Sequence, residues 1–333
     1  MRHKTGRRKI RRPSTTVGCS KNEYASKLPS QSPQSRHDCR EKWPHWIDMS
    51  DLIFVGVLSL ILEPFGVAAF PSAGVSSDRR LILHKRVQAH RGSPSWSEVK
   101  FEQTFALSKS AIVVTDMWDK HWCRGATERV GRIALRMEPL LERARTSGIL
   151  IIHSPSETMS FYSGSEGRKL AQSAPHVDPP VAAPLHNPPL PIDDSNGGCD
   201  TPGDTEHRAW SRETPLLTIA SSDVITDSGT EIYNVLRQRG IDTVFCMGVH
   251  ANMCILNRSF GIRQMEQWGI HCILVRDLTD VMYEPSSRPF VSHAAGTELV
   301  IKYIEQNWAP TITGAQMMQA LPDTRGKDPA KSY

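Results

Sequence analysis

Apolar residues in this chain fall into short unbroken runs separated by amphipathic stretches of helical period. Residues 111–115 (AIVVT) make one such run, and residues 127–147 carry Val130, Ile133, Leu140, Leu141 and Ala144 at helical spacing before Gly148. Residues 149–153 (ILIIH) are the next run. Strand, helix and strand in that order form a βαβ unit, whose crossover makes the two strands parallel.

The alternation stops over residues 154–215. Its segment PHVDPPVAAPLHNPPLPIDDSNGGCDTPGD is too rich in Pro, Gly and Asp for a helix or sheet interior, so 154–215 reads as an insertion running over the surface. In a compact domain a loop of that length is functional or disordered more often than merely connecting. The pattern then resumes: a short strand at 216–220, a helix at 228–239 capped by Asp227 or Ser228 and closed by Gly240, and a strand at 243–249. A helix at 254–268, a strand at 271–276 and a last amphipathic helix at 294–307 follow. Apolar strands alternating with helices predict an α/β fold, a parallel sheet with helices on both faces.

Hydrophobic content of 39% in 333 residues suffices for a real core. The formal charge of +5 is uneven. Residues 1–48 hold 12 Lys/Arg against 4 Asp/Glu, leaving 28 against 31, so the basicity belongs to the amino-terminal stretch. The body is slightly acidic, which argues against a basic groove for nucleic acid. Residues 1–48 read as a basic disordered leader or a misplaced start. Residues 49–77 contain the apolar run 52–70 followed by Ala68, Ala69, Ser72 and Ala73, the order of a signal peptide, and export to the periplasm or outside is expected. Glu63 and Pro64 interrupt the run, so membrane contact is expected only there, and only if it stays uncleaved. Residues 78–107 read as a charged connector, 108–308 as the domain, and 309–333 as a tail.

The seven cysteines show neither disulfide-scaffold nor zinc-module spacing. In an exported protein Cys123 and Cys199 are the candidate bridge, because both lie outside predicted strands. In open parallel sheets the binding crevice lies beyond the carboxyl ends of the strands. The residues there are polar: Asp116, His153, Ser221 to Asp223, His250 to Cys254, and Asp277 and Asp280. Cys254 follows a strand and tight turn at a predicted helix start, where backbone N–H groups and the helix dipole favour a thiolate. The same position also suits a buried, inert cysteine, as Cys246 and Cys272 are expected to be.

The segments VFCMGVHANMCILNRSFGIRQMEQWGIHCILVRDLTD and SAIVVTDMWD resemble the signature of the isochorismatase-like superfamily of cysteine hydrolases, which includes nicotinamidases. The resemblance covers about 200 residues and implies a three-layer, Rossmann-like fold. It implies Cys254 as nucleophile and Asp116 as acid and base, on the C–N bond of a small amide. It also implies a cis peptide at His250 to Ala251 and an oxyanion hole of the Ala251 and Cys254 N–H groups. A homo-oligomer and a small-molecule substrate are implied as well.

One departure stands out. The resemblance calls for a Lys before the segment SDSGTEIYNVL, but no lysine occurs between Lys169 and Lys302. Either His250 or His153 supplies the positive partner, or the chemistry is altered and the domain only binds a ligand. No cofactor is required by this reading. A divalent metal, zinc or manganese, held by Asp119, His121 and His153 is chemically reasonable, and would be the sole carrier of a third, metal-dependent reading in which Cys254 is structural. Trp118, Trp122, Phe161 and Tyr162 form either an aromatic pocket or loop packing.

Overall fold

The computed structural model describes residues 78–181, 183 and 187–323. The expectations for residues 1–48 and 49–77 lie outside them. Among the described residues the strands form one eight-stranded sheet, in the order β2-β1-β8-β7-β6-β3-β4-β5. Its centre is the alternating body the apolar runs predict: β3 (Ser110–Thr115), α1 (Arg124–Thr146), β4 (Leu150–Ser154), β5 (Val224–Ile225), α3 (Gly229–Gln238), β6 (Thr243–Gly248) and β7 (His271–Thr279). The ladders β5-β4-β3-β6-β7 are all parallel.

Each central strand is buried on both faces, which is why its apolar run is unbroken. Ala111 and Val113 of β3 join a core with Ile232 and Leu236 of α3, Met265 of α5 (Ile262–Gln267) and Val300 and Ile304 of α6 (His293–Asn307). Ile112 and Val114 face the opposite core, with Val130, Met137 and Leu141 of α1 and Met317 of α7 (Gly314–Ala320). Helix, sheet and helix are thus the three layers expected.

Several boundaries differ from the sequence reading. The connector 78–107 is an antiparallel hairpin, β1 (Asp78–Gln88) and β2 (Trp96–Ala106), and β1 pairs antiparallel with β8 (Thr311–Ile312). The tail 309–333 therefore contributes β8 and α7, and the folded unit is wider than 108–308. The hairpin hides among charges because it buries little beyond Leu81, Leu83 and Phe105, the half-apolar pattern of an antiparallel edge. The strand expected at 216–220 is a turn, and the edge strand is Val224–Ile225, shielded by α2 (Glu166–Ser173) inside the insertion. The Ser228 side chain, rather than Asp227, caps α3 by accepting the Glu231 N–H.

The helix expected at 254–268 is broken into α4 (Cys254–Asn257) and α5. Arg258 leaves helical geometry at φ −59° and ψ 159°. Gly261 fits there because a Cβ would stand 2.8 Å from the Ile255 carbonyl oxygen.

Candidate active site

Chain direction places β3 and β6 side by side, with β4 following β3 on one side and β7 following β6 on the other. This is the switch point at which an open parallel sheet forms its crevice. Asp116 follows β3, at a positive φ of 46° that Asp tolerates better than most residues. Gly248 ends β6 at φ 110°, and a Cβ there would lie 2.1 Å from the Thr115 carbonyl oxygen. Only glycine lets the two strand ends come this close, and Val249 N–H then donates to the Thr115 oxygen at 2.9 Å.

The close approach brings the buried Asp116 carboxyl into contact with the half-buried Cys254 thiol. Asp116 Oδ1 accepts the Ser156 N–H at 2.7 Å, and Oδ2 accepts the Arg258 Nε–H at 3.1 Å. Arg258 Nη2 also lies 3.6 Å from Glu157 Oε1. Burial pushes the Asp116 carboxyl up, and the Arg258 charge and the hydrogen bonds from Cys254 and Ser156 oppose it. Burial and then the Asp116 charge push the Cys254 thiol well above its ordinary value, against Arg258 and the His250 backbone N–H. The expected thiolate at a helix start is therefore corrected. Four residues of α4 make too short a dipole to offset burial beside the Asp116 carboxyl, so Cys254 rests as a thiol.

Arg258 is the residue sequence reasoning missed. The signal was its place four residues after Cys254, on the same face of a helix start.

His250 is not the cationic partner. It is buried, and burial, His121 and Arg129 push its pKa down to about 3, so it is neutral near neutral pH. Its Nε2 is buried without a partner. The cis peptide lies at Val249–His250, one residue before the expected place, because β6 already ends at Gly248. Ala251 N–H donates to the Asp280 carbonyl oxygen at 2.7 Å, which removes it from the expected oxyanion hole.

His153 is not a metal ligand or the partner of Cys254 either. Fully buried, it has Nε2 3.3 Å from Asp223 Oδ2 and Nδ1 2.7 Å from Glu213 Oε2, the latter a charge contact rather than an aligned hydrogen bond. Burial alone would lower its pKa, but Glu213 and Asp223 outweigh burial and hold it at about 9. Arg145 completes the cluster at 2.7 Å from Asp223.

The residues expected to hold zinc or manganese do not fit one. The Asp119 carboxylate accepts the Ser211 N–H at 2.9 Å and the Ser211 hydroxyl at 2.6 Å, which uses it to pin a loop. His121 Nδ1 accepts the Cys123 N–H at 3.1 Å, and its ring packs among aromatics. Burial, then Arg129 and His207, push the His121 pKa down to about 4. With His153 between its two carboxylates, the three side chains do not converge. Among the described residues, the group with metal-ligating spacing is Cys123, Cys199 and Asp200, and those cysteines are bonded to each other.

The expected aromatic pocket divides. Trp118 is 4% exposed, donates from Nε1 to the Ser156 carbonyl at 3.0 Å and lies under Trp210 with ring centroids 4.3 Å apart. Phe161 is 54% exposed and carries Arg212 over its ring, beside Tyr162. Both are loop packing. Trp122 remains beside the site: it contacts His121 and packs with Met253, the neighbour of Cys254, around the Cys123–Cys199 pair.

That pair is a disulfide, as its place outside the strands suggested, with Cα atoms 5.6 Å apart. It ties the insertion to the start of α1. Asp204 accepts from Arg124, and Asp200 from Arg129, which also binds Asp280 at 2.6 Å. Farther along, Thr214 N–H donates to the Met117 carbonyl at 2.7 Å. The insertion is thus strapped to the strand ends that carry the site.

A thiol, a buried carboxyl able to take its proton and a guanidinium bound to that carboxyl are parts for nucleophilic hydrolysis. Among solved structures the chain is similar to a cysteine hydrolase from Pseudomonas syringae pv. phaseolicola 1448A, at 19% identity over 65% of this chain and 93% of that one, with a TM-score of 0.43. It is also similar to an isochorismatase from Pseudomonas putida KT2440, at 16% identity over 63% and 90%, with a TM-score of 0.39. An isochorismatase family protein from Burkholderia thailandensis matches at 16% identity over 64% and 96%, with a TM-score of 0.37. No curated protein matches the chain. The model of the isochorismatase domain matches residues 110–316, well over half of the chain, and the chain therefore belongs to the isochorismatase family of hydrolases.

Proposed function

We propose that this hydrolase cleaves a C–N bond in a small amide, with Cys254 as nucleophile and Asp116 as acid and base. The observation that carries the reading is the buried Asp116 carboxyl, held at the switch point by the Ser156 N–H and the Arg258 Nε–H and close enough to the Cys254 thiol for each to shift the other's pKa. In the first half-reaction Sγ attacks the amide carbonyl as its proton passes to Asp116, and collapse expels the amine with that proton. Water then attacks the thioester, Asp116 takes a proton from it, and the acid leaves as the proton returns to Sγ. The Cys254 N–H, at the start of α4, is a donor for the oxyanion. The disulfide supports an exported protein, because such bonds persist in oxidising compartments.

The runner-up is a ligand-binding protein without turnover, and the raised Cys254 thiol favours it. Amine release from a panel of small amides by the wild-type chain, C254S and D116N decides between them. Turnover lost in both variants is expected. Turnover that persists in C254S sinks the nucleophile, and binding without turnover in the wild type moves the reading to the runner-up.

A further inference from the structure

Asp116 poses an electrostatic problem. It is fully buried, and a buried carboxyl without a cation stays protonated, which would leave it unable to receive the thiol proton. The groups facing it are Cys254 and Arg258 from either end of α4 and Ser156 from the loop after β4, with Glu157 behind Arg258. Of these only Arg258 is a cation. Further cations near the crevice are committed elsewhere: Arg129 binds Asp200 and Asp280, His153 sits between Glu213 and Asp223, and Arg208 donates to the Glu157 carbonyl. The turn that breaks the helix after Asn257 is what directs Arg258 to the end of β3.

We infer that Arg258 is the positioning residue that holds Asp116 ionised in the resting site. The inference rests on the reading of Cys254 as nucleophile. A guanidinium does not deprotonate in the working range, so Arg258 supplies this charge at every working pH.

The test uses the full chain and needs no substrate. The rate of Cys254 alkylation by iodoacetamide is followed by mass spectrometry across pH in the wild type, R258K, R258Q and D116N. In the wild type reactivity rises with ionisation of Asp116. In R258Q that rise moves to higher pH by about one to three units, the usual effect of one adjacent charge. R258K, which keeps the charge, restores it to near the wild-type position, a rescue that a packing role would not give. D116N loses the rise and reacts only where the thiol ionises by itself. An R258Q profile that coincides with the wild type overturns the inference. If R258Q fails to fold, infrared difference spectra of wild type against D116N at neutral pH still decide: no protonated-carboxyl band is expected from Asp116, and finding one overturns the inference. The amide panel judges the nucleophile reading separately, since loss of amidase turnover in every form leaves these profiles readable.

Discussion

At the end of β3, Asp116 has one cation, Arg258, and meets a thiol on its other side; at β4 next door, His153 lies between Glu213 and Asp223, with Arg145 beyond. Both are ionisable groups buried completely. The difference is in what each leaves unsettled. His153 has two opposite charges, so its proton is held more tightly than in water and the cluster works as a strap between the sheet and the insertion. Asp116 has one cation set against strong burial, and it faces a thiol whose own proton is held by burial and by the Asp116 charge. Two opposite charges around a buried group make a clamp, whereas a single cation leaves the group's charge dependent on that one partner.

Four measurements break or sharpen that comparison, beginning with the largest effect. Asp116→Asn is expected to lower turnover by about 10² to 10⁴-fold while leaving unfolding nearly unchanged, as acid and base catalysts do. Kinetics and a denaturant titration on the same sample check it, and a variant that unfolds without a specific rate loss would make Asp116 another strap.

His153→Gln should behave in the opposite sense. It leaves Glu213 buried without its cation, at a cost of about 3 to 5 kcal/mol in stability read by denaturant unfolding. A variant of unchanged stability would remove the contrast between the two clusters.

Cys199→Ser opens a bridge that spans 76 residues of sequence separation and is expected to cost about 4 kcal/mol on the chain-entropy account. Limited proteolysis should then cut first within residues 187–215, the stretch the bridge straps down. Cleavage elsewhere would show that the ion pairs hold the insertion without it.

The smallest effect is a pH dependence. The folded pKa of His153 is raised to about 9 from an ordinary value near 6.5. Its contribution to stability is therefore fully present below about 6.5 and is lost as pH rises through about 9. Midpoints of urea unfolding between pH 6 and pH 10 should fall in the wild type, and the fall should be shallower in His153→Gln.

How far the sequence could be read follows from which interactions are local. The runs 111–115, 149–153 and 243–249 announce strands because burial on both faces demands apolar residues at every position. Asp116 and Cys254 could be named because strand-end chemistry in a parallel sheet is local to the chain. The hairpin β1 to β2 was illegible for the converse reason: half its side chains face water, and its place in the sheet depends on a two-residue strand, β8, more than 200 residues later. The proposed metal set failed because Asp119, His121 and His153 are near one another along strand ends, while their side chains answer to partners from the insertion.

By itself the sequence determined the alternation of strands and helices, the two faces of the core, the places of Cys254 and Asp116 at the strand ends, and the cysteine pair able to bridge. Each of these is written in periodicity or in residue type at one point of the chain. Only the tertiary structure decided which cation meets Asp116, that His250 is neutral, and that His153 is a clamp. Those outcomes depend on burial and on charges brought together from distant segments, and the free energy of a buried charge is set by its neighbours in space rather than along the chain.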